Sequence, residues 1–217
     1  MRPAATDARF VKLDFQGNPL KNQLLNYQAS SWQCVLDRKT QLRWEVKSPA
    51  NKLNQQQFRY TWFNPDRQRN GGLPGVRPST CKQSACDTHA YLQQLNATRY
   101  CGIANWRLPR REELRSLVDY AIPFPGPTIN RDYFPQTVAQ FYWSDTPDAA
   151  DPESAWGIGF SFGFDYSYRK QHAAYVRAVS EIRAVSEIRA LSEVRAVSEI
   201  RALTEVKAVS EIKAHNP

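Results

Sequence analysis

Apolar residues fall along this chain in three rhythms. Phe10 to Phe15 (F-V-K-L-D-F) alternates weakly, as an edge strand does, and Trp32 to Val46 reads as a hairpin in which W-Q-C-V-L and L-R-W-E-V flank a polar turn at 37–41. Residues 47–85 have little apolar periodicity and are rich in Gln, Asn, Arg, Pro and Gly, which predicts a long surface excursion anchored by Tyr60, Trp62 and Phe63. A 3.6-residue rhythm follows. Asp87 can cap a helix over about Thr88 to Thr98 that turns Tyr91, Leu92 and Leu95 inward, with Cys101-Gly102 closing it. A second helix starts after Pro109, with Glu112 and Glu113 in the first turn, where the helix dipole favours acids, and Leu114, Leu117 and Val118 as its buried stripe. The Pro-rich run A-I-P-F-P-G-P ends it.

From Phe141 the period drops to two. Trp156, Ile158, Phe160, Phe162 and Phe164 alternate with Gly157, Gly159, Ser161, Gly163 and Asp165, which predicts a strand with one apolar face and one nearly bare face. Glycines in a strand point to close approach of another backbone or a ligand. A further strand is expected over Ala173 to Val179. Two helices followed by a late group of strands argue for an α+β domain with a twisted antiparallel sheet, not a parallel α/β sheet.

The third rhythm is a repeat of six. Residues 177–212 are six copies of R-A-V-S-E-I, varied only by Lys for Arg, Leu for Val, Thr for Ser and Val for Ile. On a helix a six-residue step turns the register by about 240°, so no stripe emerges. On a strand Arg177, Val179 and Glu181 share one side and Ala178, Ser180 and Ile182 the other, which favours a β-rich tail. The hexad also resembles left-handed β-helix repeats, with the aliphatic residue inward and a small residue two positions before it, although Arg follows the aliphatic residue and no Gly or Asn marks the corners. One such unit cannot bury a core alone. Self-association through Ile182, Ile188, Val194, Ile200, Val206 and Ile212 is therefore expected. The predicted organisation is a head over 1–179 and a repeat tail over 180–217. Because R-A-V-S begins inside Y-V-R-A-V, the tail reads as the last head strand copied onward.

Composition separates the two parts. All six Trp lie in the head, and most of the net charge of +8 lies there as well. A basic, aromatic-rich head is drawn to polyanions, and charge alone does not choose among acidic polysaccharide, nucleic acid and an anionic surface. No run reaches the ~20 apolar residues that span a bilayer. Met1-Arg2-Pro3 is not followed by the apolar core of a signal peptide, so the chain is either a trimmed form of an exported protein or stays inside. Cys34, Cys81, Cys86 and Cys101 fit two disulfides better than zinc, because the tight two-residue spacing of structural zinc sites is absent; three pairings are open.

Candidate chemistry is sparse. Arg107, Glu112 and Glu113 in W-R-L-P-R-R-E-E-L read as a helix start and not as catalytic groups. His89, His172 and His215 share no metal-ligand or nucleophile spacing, and Asp145, Asp148, Asp151 and Glu153 form no recognisable calcium loop. Catalytic residues, metal and cofactor are not expected. The binding candidate is Asp165, Tyr166, Tyr168, Arg169 and Lys170: Tyr with short polar residues suits an adaptable binding surface, and Arg169 and Lys170 can meet sulfate or carboxylate groups.

Four ordered segments carry a family resemblance: C-V-L-D-R-K-T-Q-L-R-W-E-V (34–46), C-D-T-H-A-Y-L-Q-Q-L-N-A-T-R-Y-C-G (86–102), N-W-R-L-P-R-R-E-E-L-R-S-L-V-D-Y (105–120), and Y-W-S-D-T-P with A-W-G-I-G-F-S-F-G and Y-V-R-A-V (142–179). Together they resemble the DUF1566 family, also called the Lcl C-terminal domain. The resemblance implies a C-type-lectin-like fold, export from a bacterium to the periplasm, cell surface or extracellular space, and binding of sulfated polysaccharide. Where the family has Thr after R-L-P this chain has Arg110, which removes a natural helix cap and predicts that another group satisfies the first-turn amides. The expected function is a non-enzymatic adhesin-like head that binds acidic glycan or another surface ligand, with no nucleic acid partner and no membrane span. The alternative is a filament or surface-layer subunit polymerising through the tail. An enzyme akin to formylglycine-generating oxidases would need a close, redox-active cysteine pair.

Overall fold

Among the described residues, seven short strands make two antiparallel sheets. β1 (Phe10–Leu13), β2 (Cys34–Asp37), β3 (Leu42–Glu45) and β7 (Val179–Glu181) form one in the order β1-β2-β3-β7, and β4 (Phe141–Pro147), β5 (Ser154–Gly159) and β6 (Phe164–Arg169) form the other in chain order. Helices α1 (Thr88–Ala97) and α2 (Arg111–Arg115) lie between β3 and β4 in sequence, giving the α+β class. The computed structural model describes residues 9–50, 53–80 and 85–181, and these belong to a compact unit that ends at Glu181. The tail positions Ile182, Ile188, Val194, Ile200, Val206 and Ile212 lie outside the described residues, as do Cys81 and His215.

Two buried clusters share the same strands. Val11, Leu13, Cys34, Phe141, Trp143, Ala155 and Ala178 enter one, together with Tyr60, Trp62, Tyr91, Leu95 and Trp106. Phe10, Val35, Trp44, Tyr142, Ile158 and Val179 enter the other, with Leu114, Phe134 and Phe160. Side chains alternate across a strand, so a strand covered on both sides needs apolar residues at successive positions. This explains runs such as F-Y-W in β4. Four buried indoles find backbone acceptors at 2.8–2.9 Å: Trp32 on Tyr133, Trp62 on Ser144, Trp106 on Tyr100 and Trp143 on Tyr60.

Local chemistry sets the element ends. Asp87 caps α1 by accepting the Ala90 amide at 2.8 Å. Arg110 offers no acceptor at the start of α2. Instead the Glu113 carboxylate reaches back to the Arg110 amide at 2.7 Å, and Thr146 Oγ1 accepts the Arg111 amide at 3.2 Å. The β2–β3 turn is fixed by Asp37, whose Oδ1 accepts the Lys39 amide at 2.9 Å.

Two strand expectations need correction. The stretch 156–164 is not one strand: β5 ends at Gly159, Gly163 turns at φ +79° with its amide on the Gly159 carbonyl (2.8 Å), and β6 begins at Phe164. Positive φ is cheap only for glycine, so G-F-S-F-G makes a hairpin turn despite its alternation. Residues 173–178 are likewise not a ladder strand; Ala174 bridges Tyr60 and Tyr175 bridges Tyr142 singly, and regular pairing begins only at Val179.

Two part-buried ion pairs brace this frame. Arg9 grips Asp37 at 2.6 and 3.0 Å, and Arg107 grips Glu113 with two contacts of 2.8 Å. Burial alone would raise both carboxyls, but the hydrogen bonds and charge of the arginines outweigh it and hold each below the ordinary carboxylate range. Lowered folded-state pKa values contribute stability that is present above the ordinary range and is lost as pH falls through the lowered values. Asp37→Asn with Glu113→Gln should therefore be less stable at neutral pH and lose less further stability between about pH 5 and 2 than the parent. Urea midpoints across pH measure this; parallel curves would sink it.

Candidate functional site

β6 reads F-D-Y-S-Y-R, and strand geometry sends Phe164, Tyr166 and Tyr168 to one side and Asp165, Ser167 and Arg169 to the other. Because β6 is the outer strand of its sheet, its aromatic side is partly uncovered, from 38% exposure at Tyr168 to 64% at Phe164. On the neighbouring strand the same side carries Gly157 and Gly159. The close approach that those glycines predict is made by the protein itself: a Cβ on Gly159 would stand 3.0 Å from the Tyr166 ring, and one on Gly157 only 2.1 Å from the Tyr142 carbonyl oxygen and 2.4 Å from the Phe141 ring.

The rings form two groups along this side. Phe141 lies 4.6 Å from Tyr166 and 5.4 Å from Tyr168, and Tyr168 stacks on His172 at 4.9 Å. Beyond the turn, Phe164 stacks with Phe162 (6.2 Å, 4° between planes) and Phe162 with Phe124 (4.4 Å, 13°). A cleft of about 190 Å³ opens beside Tyr166 and Tyr168, lined also by Arg59, Gln140, Phe141 and Tyr175. Partial burial, and then the neighbouring Tyr168, push the Tyr166 hydroxyl above its ordinary pKa, so at neutral pH it keeps its proton and can donate.

The five candidates from the sequence are thus not brought together. Tyr166 and Tyr168 share the aromatic side. Asp165 and Arg169 face the other way, the first 3.6 Å from Arg111 and the second 3.1 Å from Glu153. Lys170 is buried, and its ammonium donates to the carbonyls of Asn70 (2.9 Å), Leu73 (2.8 Å) and Pro152 (2.7 Å) above the Trp62 ring. Lys170 is therefore a clamp for the 70–73 loop, not a cation offered to solvent. Its pKa is lowered by that burial. Phe124, Phe141 and His172 carry no signal in the sequence that marks them for this surface, and Phe162 is marked only by its alternation with Phe164. Nothing in the proline-rich run hints that Phe124 meets Phe162.

Cys34 is bonded to Cys101 and Cys86 is also in a disulfide, while His89 stands edge-on to Phe63. Among the described residues no cluster of three or more His, Cys, Asp or Glu could hold a metal ion, and no helix is long and apolar enough to cross a membrane. In comparisons with known proteins, the family model of the Lcl C-terminal domain matches residues 33–180. No curated protein and no solved structure matches.

Proposed function

Since the chain belongs to the Lcl C-terminal domain family, we propose that it is a non-enzymatic, exported bacterial recognition protein whose C-type-lectin-like head holds an acidic glycan against the aromatic side of β6. The observation that carries this reading is the exposed aromatic side of β6, where Phe164 stacks with Phe162 and Phe162 with Phe124 at one end, and Tyr168 stacks with His172 at the other. Pyranose rings present C–H faces that pack on aromatic planes, and rigid aromatics provide such area at low entropic cost. The net charge of +8 favours acidic saccharides over neutral ones, and Arg59 lines the adjoining cleft.

The test is binding of the intact chain to an array of sulfated, uronic-acid and neutral glycans at two salt concentrations. Tyr166→Ala with Tyr168→Ala should weaken acidic-glycan binding by roughly tenfold or more, given that each aromatic contact carries about 0.5–1.5 kcal/mol beyond its burial. Salt should weaken parental binding too. Arg169→Ala, on the opposite side of the strand, should have little effect. If Arg169→Ala abolished binding and the tyrosine pair did not, the proposed surface would be wrong; absence of binding to any glycan would reject the function.

A further inference from the structure

The first hexapeptide copy belongs to the head, and each of its first five residues has a partner there. Arg177 is fully buried; Nη1 donates to the Glu45 carbonyl at 2.7 Å, Nη2 to Thr137 Oγ1 at 2.6 Å, and the guanidinium lies 4.8 Å from the Phe134 ring centre. Ala178, also fully buried, donates its amide to Glu45 Oε2 at 2.8 Å, and its carbonyl accepts the Glu45 amide at 3.0 Å. Val179 is paired on both sides, with Trp44 of β3 and with Arg107, whose backbone exchanges two 2.9 Å hydrogen bonds with it. Ser180 Oγ donates to Asn105 Oδ1 at 2.8 Å, and Glu181 accepts from Arg107 Nη2 at 2.8 Å. These contacts make a slot that selects R-A-V-S-E.

The same five letters recur downstream. Residues 183–187 and 195–199 repeat them unchanged, 189–193 has Leu for Val, 201–205 has Leu and Thr, and 207–211 begins with Lys. The variation follows the slot. Ala at the second position, where Ala178 is wholly enclosed, never changes, and neither does the Glu that would meet Arg107. The changes that do occur keep an aliphatic, hydroxyl or cationic group in place.

We propose that this slot, between β3 and Arg107, is a receptor for the hexapeptide, and that its exchange partner is a second copy of this chain whose repeat replaces residues 177–181. Each displaced first copy can fill the slot of another molecule, so the number of filled slots is unchanged and every lost contact is remade with like sequence. Several spare copies on each chain raise the effective concentration of competing strands once two molecules meet. The result is chains linked through their last strand. The proposal goes beyond glycan recognition and uses a different surface, so either can fail without the other.

Full-length chains test it. An Asn105→Cys, Ser180→Cys double variant reports native docking within one chain. A mixture of an Asn105→Cys chain with a Ser186→Cys chain reports exchange, because those two cysteines can meet only between molecules. The expected results are a 105–180 disulfide in the first, a 105–186 disulfide joining two chains in the second, and masses rising in whole-chain steps with concentration when the unsubstituted protein is analysed by native mass spectrometry. A 105–180 bond without any 105–186 bond overturns the proposal, and so does a monomer at every concentration. If neither disulfide forms, a variant with Ala184, Ala190, Ala196, Ala202 and Ala208 all changed to Asp decides. It keeps Ala178 but has no spare copy that fits; collapse of the oligomers to monomer supports exchange, and their persistence rejects it.

Discussion

Glu45→Leu should cost about 3–5 kcal/mol of stability, measured by urea unfolding, because it leaves buried charge without its counter-charge. The carboxylate is completely enclosed. Oε1 accepts from Lys47 Nζ at 2.7 Å and from the Tyr91 hydroxyl, and Oε2 accepts the Ala178 amide at 2.8 Å. Lys47 is itself enclosed, with its ammonium 4.7 Å from the centre of the Tyr91 ring, and burial lowers its pKa against the pull of Glu45. Removing Glu45 therefore takes the counter-charge from an ammonium that keeps the Tyr91 hydroxyl at 3.1 Å, and leaves a phenol proton and a backbone amide without their acceptor, each deep in the fold. Adding Lys47→Met to Glu45→Leu should restore only the part of the loss that comes from the unpaired ammonium, since the Tyr91 hydroxyl and the Ala178 amide still lack their acceptor. A Glu45→Leu chain within about 1 kcal/mol of the parent would contradict this account.

The parts of this protein that were legible in the sequence are those decided within a few residues. Asp87 as a cap, Asp37 at the hairpin turn and the helix start after Pro109 all rest on local hydrogen bonds, and each is found where its residue type predicts. The absent Thr at Arg110 was legible as a gap, and the substitute acceptors came from Glu113 nearby and from the distant Thr146. What was not legible depends on distant partners. Lys170 reads as a surface cation because nothing in its neighbourhood announces the carbonyls of residues 70, 73 and 152 that enclose it, and nothing near Arg177 announces the carbonyl of residue 45. The site suffered for the same reason. The contiguous motif D-Y-S-Y-R-K reads as one surface, whereas a strand divides it between two faces, and the rings that complete the aromatic side arrive from Phe124, Phe141 and Phe162.

Cys34→Ala with Cys101→Ala should destabilise the head by about 4 kcal/mol, the chain-entropy expectation for releasing a loop of this size. The bond closes a sequence separation of 67 residues and lies fully buried where the turn after α1 meets the start of β2. The same turn is tied to β3 by Arg43, which donates to the Cys101 carbonyl at 3.1 Å. Cys34 also sits directly opposite Glu45 in the β2–β3 register, so the disulfide and the Glu45 network hold one patch of sheet. That adjacency predicts coupling. Combining the cysteine pair with Glu45→Leu should give a loss that differs from the sum of the separate losses by about 0.5–3 kcal/mol, as contacting sites do, whereas combining it with Tyr168→Ala in the other sheet should be close to additive. Urea unfolding of the single and combined variants measures both cycles. Additivity with Glu45→Leu would mean that the disulfide acts only on the unfolded chain, and the idea that it holds Glu45 in place would have to be given up.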